Sequence, residues 1–179
     1  MKRKHAILSA SGAHRWLNCP PSARLEEHFP DEPSPYAEEG TKAHKIAEGI
    51  LLDKIDEPAD GMDEMFEYVS RYVEVVLEKW IPGAQLYVEQ RLDFSPWVPE
   101  GFGTGDAVIV SDDVLEIIDL KYGKGVQVDA EGNPQLRLYA LGAYNQFGMI
   151  YNFDRVRMTI VQPRLDHVST EELSLDELL

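Results

Sequence analysis

Asp106, Asp119 and Lys121 are the residues whose types and spacing point most directly to chemistry. They lie in GTGDAVIVSDDVLEIIDLKYGKG, which runs from Gly103 to Gly125. Period-two alternation puts Leu115, Ile117, Asp119 and Lys121 on one face of a strand, and Glu116, Ile118, Leu120 and Tyr122 on the other. Both faces are largely apolar, so the strand belongs at the centre of a sheet. A carboxylate and an ammonium are costly there unless they pair or do chemistry. An internal Asp–Lys ion pair is the purely structural alternative. The chemical reading is a site for a hard divalent cation, because Mg²⁺ takes oxygen ligands and keeps several waters. Asp106 and Asp119 sit on strands joined by the short SDD turn, so their carboxylates can meet across a hairpin and share an ion. Lys121 can then hold or polarise an attacking water, or balance charge on a phosphate.

The flanking elements must position these groups. Ser9 or Ser11 is expected to cap a short helix carrying Trp16 and Leu17, which Cys19-Pro20-Pro21 ends. SARLEEHF reads as a second short helix and PDEPSPYAEEG as a proline-rich loop. From about Glu38 to Lys54, Ala43, Ala47, Ile50 and Leu51 recur at helical spacing. Residues 64–80 carry a stripe of Phe66, Val69, Val73, Val76, Leu77 and Trp80, ended by Pro82-Gly83. The period then changes. AQLYVEQRLDF, FGTGDAVIV and VLEIIDLKYG read as three strands of a meander. Asn133-Pro134 opens a helix over QLRLYALGAYNQFG, with Asn as N-cap and Pro at the first helical position. RVRMTIVQPR is a fourth strand. HVSTEELSLDELL is expected to add an edge strand, with Ser174 capping a helix as the sequence stops. The expectation is a single α/β domain over residues 1–179 with a partly antiparallel sheet, and the helix barely begun after Ser174 hints at a C-terminal cut from a longer protein.

Three of these elements carry further polar candidates. Gln135 and Tyr139 are four residues apart and share a helix face, from which they can reach a phosphate. The alternative is a core tyrosine and a solvated glutamine. His44 lies inward on its helix beside Ala47, Glu48 and Leu51, where a hydrogen-bonded core histidine is the ordinary occupant. Glu89 lies on the strand before Asp106.

Together these residues resemble a family. GD on one strand and DLK on the next look like the PD-(D/E)xK nuclease motif. QLRLY, with Gln135 and Tyr139, looks like the QxxxY motif of RecB-like nucleases, and GTKAHKIAE, Gly40 to Glu48, looks like their upstream GTxxHxxxE helix. The elements occur in the family's order over roughly residues 9–162. The resemblance implies a restriction-endonuclease-like core, a mixed sheet flanked by helices with a helical N-terminal segment. It also implies that His44 is a metal ligand beside Asp106, Asp119 and the backbone carbonyl of Leu120, holding one or two Mg²⁺ or Mn²⁺ ions. An imidazole in that set favours Mn²⁺ more than an all-oxygen shell would. Asp106, Asp119 and Lys121 become the catalytic residues, Gln135 and Tyr139 position the substrate strand, and Glu48 and Glu89 stand behind the ligands. Lys42, Lys45, Lys124 and Arg137 are candidate phosphate contacts. CPPSARLEE resembles the start of the CRISPR-associated and AddB-type iron–sulfur nucleases, but those use four cysteines. Here Cys19 is the only one, so no cluster and no internal disulfide are expected.

Composition limits the alternatives. The chain has 179 residues, 44% hydrophobic, with a formal net charge of −15. That weighs against a protein coating nucleic acid through a basic surface. No apolar run approaches the ~20 residues of a membrane span. The basic start, MKRKHAILSASGAH, has too short an apolar stretch for a signal peptide, so a cytoplasmic setting is expected. The resemblance, which extends to a phage and prophage family with a RecB-like core, implies a bacterial host cell. It also implies DNA as partner, an exonuclease role in phage recombination, replication or repair, and recombination or single-strand-binding proteins nearby. Three rivals are a catalytically inactive nuclease-fold module that binds nucleic acid or protein, an acidic DNA mimic, and a phosphodiesterase acting on small nucleotides.

Overall fold

The computed structural model describes residues 6–29 and 34–179. The basic residues 1–5, and 30–33 of the proline-rich stretch, lie outside the described residues. The elements in chain order are α1 (Ala13–Asn18), α2 (Ser22–Glu26), α3 (Pro35–Leu51), α4 (Asp63–Lys79), β1 (Gln85–Asp93), β2 (Phe102–Val110), β3 (Val114–Leu120), α5 (Pro134–Phe147), β4 (Arg155–Gln162), β5 (His167–Ser174) and α6 (Leu175–Leu178). The five strands form one mixed sheet in the order β1-β2-β3-β4-β5. Only β3 and β4 are parallel, because α5 carries the chain back across the sheet between them. The expected α/β class, with a mixed sheet flanked by helices and a helical N-terminal segment, is the observed one.

Two apolar layers sandwich the sheet. On one side Leu115, Ile117, Val156, Met158 and Ile160 pack against Leu136, Tyr139, Ala140 and Ala143 of α5, with Ala13 of α1. On the other, Ile118, Leu120, Ala107, Ile109 and Val161 pack against Ala43 and Ala47 of α3 and Val69, Tyr72, Val73 and Val76 of α4. β3 is therefore buried on both faces, as its doubly apolar alternation requires. Asp119 falls on the α5 side, in phase with Leu115 and Ile117. α5 approaches the sheet closely: a Cβ added at Gly142 would lie 2.9 Å from the Leu92 side chain.

Several boundaries differ from expectation, each for a local reason. α3 begins at Pro35, inside the stretch expected to be loop, because Ser34 accepts a hydrogen bond from the Ala37 amide and Pro35 has the φ of a first helical residue. It ends at Leu51, where Lys54 and Ile55 donate their amides back to the Gly49 carbonyl. α1 has Gly12 as N-cap with no side-chain cap. Ser9 acts one turn earlier, accepting from the Gly12 amide. α2 stops at Glu26, short of the expected span. In α4 the buried face is Val69, Tyr72, Val73 and Val76, while Leu77 and Trp80 are about half exposed; the stripe outruns the sheet it covers. Asn133 caps α5 as expected, accepting from the amides of Gln135 and Leu136.

Candidate metal centre

Asp106 lies where the regular sheet stops. β2 pairs with β3 from Ala107–Ile118 to Val110–Leu115. One step beyond, the main-chain ladder is replaced by a side chain: the Leu120 amide donates to Asp106 Oδ2 at 2.7 Å. On the other flank, β1 and β2 pair continuously except opposite Asp106, between Val88–Ala107 and Gln90–Gly105. The residue there is Glu89, in left-handed backbone geometry with φ +50°. Such a φ is uncommon in any residue other than glycine, and within a strand it reverses which way the following side chains face. Tyr87 and Leu92 both pack on the α5 side, although strict alternation would separate them. The reversal frees Asp106 and Glu89 from the α5 layer.

α3 supplies the third group. His44 Nδ1 lies 3.1 Å from Asp106 Oδ1. One ligand atom each from His44, Glu89 and Asp106 falls within 4.8 Å of the others. Glu48, one turn beyond His44, is near enough for its charge to act on Glu89. Asp119 is almost fully buried and belongs to an adjoining network. Lys121 Nζ lies 2.8 Å from Asp119 Oδ2 and donates to Gln135 Oε1 at 2.9 Å. Gln135 Nε2 in turn donates to Asp119 Oδ1 at 3.1 Å and to the Tyr139 hydroxyl at 3.3 Å. Asp119 Oδ2 has this ion-pair contact but no well-formed hydrogen bond.

The predicted residues thus converge in two linked groups. His44, Asp106 and Glu89 form the donor cluster, and Asp119, Lys121, Gln135 and Tyr139 form the network beside it. Leu120 contributes its amide to Asp106. Among the candidate phosphate contacts, Lys42, Lys45 and Lys124 are exposed. Arg137 is held by Glu171 through two hydrogen bonds, at 2.6 and 3.2 Å, so its guanidinium is already engaged. Cys19 is exposed.

Gln162 is a positioning residue that sequence reasoning did not single out. It is buried at the end of β4, donates to the carbonyls of Gly123 and Val126, and accepts from the Val128 amide. It thereby pins the loop that follows Lys121. Its signal was a lone polar side chain closing an apolar strand, just before Pro163.

The electrostatics follow from crowding carboxylates where water is scarce. Burial, then Asp106, pushes the Glu89 carboxyl up to about 7. Burial alone would lower His44, but its hydrogen bond and charge interaction with Asp106 outweigh that and raise it. Burial raises Asp119 despite Lys121. Burial opposes the Lys121 ammonium, yet Asp119 outweighs it and holds Lys121 protonated. Burial and Asp119 raise Tyr139, keeping it a neutral phenol.

This donor set suits a divalent cation. One imidazole and two carboxylates form a mixed N/O shell within reach of Mg²⁺ or Mn²⁺, and burial together with the neighbouring carboxylates raises Glu89 against the opposing pull of His44. A cation must displace the Glu89 proton and the one shared by His44 and Asp106. Because Glu89 is raised from its ordinary 4.5 to about 7, the folded chain holds this proton over a range where the unfolded chain has lost it. Its contribution to stability is therefore fully present below the unfolded value and lost as pH rises through about 7. Calorimetry should accordingly show Mn²⁺ binding tightening between about pH 6 and about pH 8, with protons released. The melting-temperature gain on adding Mn²⁺ should be largest at the upper end. Glu89→Gln should flatten both trends.

A family model matches residues 5–179, almost the whole chain. The chain belongs to that family, described as Protein of unknown function (DUF2800). The match spans every element of this DUF2800 domain, from the segment before α1 to α6, so both groups of the centre lie within it. Among its described residues, no helix is long and apolar enough to cross a membrane.

Proposed function

We propose that this DUF2800 chain is a metal-dependent deoxyribonuclease of the RecB-like PD-(D/E)xK type. It hydrolyses phosphodiester bonds as an exonuclease in phage recombination, replication or repair, in the cytoplasm of a bacterial host. The observation that carries the reading is the His44–Glu89–Asp106 donor cluster near enough for Asp106 to act electrostatically on a lysine held charged by a buried carboxylate. An ion pair serving stability alone would not require the carboxylates of β1 and β2 to be gathered at a distorted strand position.

His44, Asp106 and Glu89 would hold the cation, with Asp119 adjoining. A bound Mg²⁺ or Mn²⁺ lowers the pKa of water and neutralises charge at a phosphate. The chain's own residues supply the rest. The Leu120 amide fixes the Asp106 carboxylate. Asp119 and Gln135 hold the Lys121 ammonium between them, limiting its rotamers and keeping it positive beside the reacting phosphate. Tyr139, neutral and hydrogen-bonded to Gln135, fixes the amide's orientation.

The test uses end-labelled linear DNA and closed circular DNA, each with Mg²⁺, Mn²⁺ or EDTA. Metal-dependent loss of the linear substrate alone is the expected result. Cutting of the circle would make the protein an endonuclease. Absence of both cleavage and Mn²⁺ binding would remove the nuclease reading.

A further inference from the structure

A groove of about 710 Å³ runs along α4 from Asp63 to Glu78 and is bounded on its other side by Val161, His167 and Val168, where β4 gives way to β5. We propose that an extended, lysine- or arginine-rich segment of a partner protein docks here, pairing with the outer edge of β5 and laying its cationic side chains in the groove. No residue of the metal centre lines the groove, so the proposal stands apart from the nuclease reading.

Three observations carry it. First, β5 is an open edge. It ends the sheet order and pairs with β4 over all 8 of its residues without a bulge. Among the described residues, no main-chain hydrogen bond reaches its outer side. Edges are commonly guarded by lysine, proline or a bulge, and HVSTEELS has none of these. Its two glutamates are already engaged: Arg137 holds Glu171, and Arg155 and Arg157 hold Glu172. Such an edge accepts an added strand through main-chain bonds.

Second, the helical layer stops short of that edge. Val168 pairs with Val161, which packs in the α3–α4 layer, so Val168, Thr170 and Glu172 share that side of β5. All three are exposed, whereas His167, Ser169, Glu171 and Leu173 on the α5 side are half-buried. The floor between α4 and β5 is apolar, made by Phe66, Val75 and Val161. Lysine and arginine stems cover such a floor while their charged heads stay at the rim.

Third, the rim carries charge that the fold leaves unpaired. Asp63, Glu67, Glu74 and Glu78 recur at helical spacing along the groove side of α4 and are exposed. Among the described residues none of the four is in an ion pair; Arg71, which interrupts the stripe, is drawn away to Asp166 at 3.0 Å. Asp63 with Glu67, and Glu74 with Glu78, are like charges four residues apart, which destabilise a helix. Glu78 also lies in the last turn, where the helix dipole opposes a carboxylate. A basic ligand relieves these repulsions. A second copy of this chain would bring the same stripe and a net charge of −15, so charge selects the basic segment.

The experiment follows the fluorescence anisotropy of a capped, fluorescein-labelled heptapeptide of alternating lysine and valine added to the full chain. A control peptide has glutamate in place of lysine. The lysine peptide should bind and the glutamate peptide should not. In an added strand, alternate amides face β5 and the others face away. N-methylation of one alternate set should therefore abolish binding, and N-methylation of the other should leave it. Glu67→Lys combined with Glu74→Lys, both at exposed positions, should weaken binding about tenfold with the cooperative melt retained. No binding of the lysine peptide, an equal effect of the two methylations, or undiminished binding by the charge-reversed chain would overturn the proposal. So would a dimer in sedimentation that Val168→Lys dissolves, which would assign the edge to a second copy.

Discussion

Asp106→Asn should abolish calorimetric Mn²⁺ binding and slow phosphodiester cleavage on the order of 10³-fold, while the chain stays folded. The amide is nearly the same shape as the carboxylate and still offers an oxygen to the Leu120 amide, which holds Asp106 at 2.7 Å. What it removes is the charge at the middle of the donor cluster. Asp106 faces His44 on one side and lies opposite Glu89 on the other, so no other residue can bridge the two. A metal ion contributes several kcal/mol at a phosphoryl transition state, and about 1.4 kcal/mol is a factor of ten. The metal-free fold should become slightly more stable above neutral pH, because Asp106 is among the charges that raise Glu89. Unchanged Mn²⁺ affinity in Asp106→Asn would mean that the ion sits elsewhere. Loss of both affinity and the cooperative melt would mean that the substitution had unfolded the protein and tested nothing about the ion.

Lys121→Met should separate catalysis from metal binding and expose the burial of Asp119. The methionine keeps the bulk of the lysine stem but leaves Asp119, 2% exposed, without its cation. Breaking a buried pair from one side costs about 3–5 kcal/mol. Protonation relieves that cost. Burial raises Asp119 already in the wild type, and losing Lys121 raises it further. The folded variant therefore binds a proton that the unfolded chain releases, so its stability falls as pH rises through the new folded value. Denaturant melts should show Lys121→Met close to wild type in mild acid and much weaker above neutral pH. Asp119→Asn combined with Lys121→Met should restore stability at high pH without restoring cleavage, a coupling that the double-mutant cycle measures. Equal destabilisation at every pH would show that Lys121 matters through packing, not charge.

The sheet, its helices and the grouping of most candidate residues were legible in the sequence because they rest on periodicity and motif spacing. Alternation placed Asp119 and Lys121 toward one face, and the structure puts Gln135 on that side to meet both. The rest hinged on features that side-chain type does not encode. Leu86, Val88, Leu92 and Phe94 read as one even-numbered alternation interrupted only at Gln90, yet Leu86 packs with the α3–α4 layer while Leu92 and Phe94 pack with α5. The reversal occurs at a glutamate with φ +50°, where no glycine or asparagine announces it. For the same reason Glu89 seemed peripheral in the sequence and lies inside the donor cluster in the fold. Arg137 illustrates a second limit. It was a candidate phosphate contact, and its partner Glu171 comes from a distant edge strand, a tertiary contact invisible to local pattern.

The donor cluster draws its three members from positions 44, 89 and 106, on a helix of one outer layer and two strands of the sheet. A cation held by all three is therefore a cross-link, closing two chain loops much as a pair of disulfides would. Through that link the helix bearing His44 acquires a tether to the sheet whose strength is set by free metal concentration. On the proposed reading, metal supply would govern the rigidity of one wall of the site as well as the reaction within it.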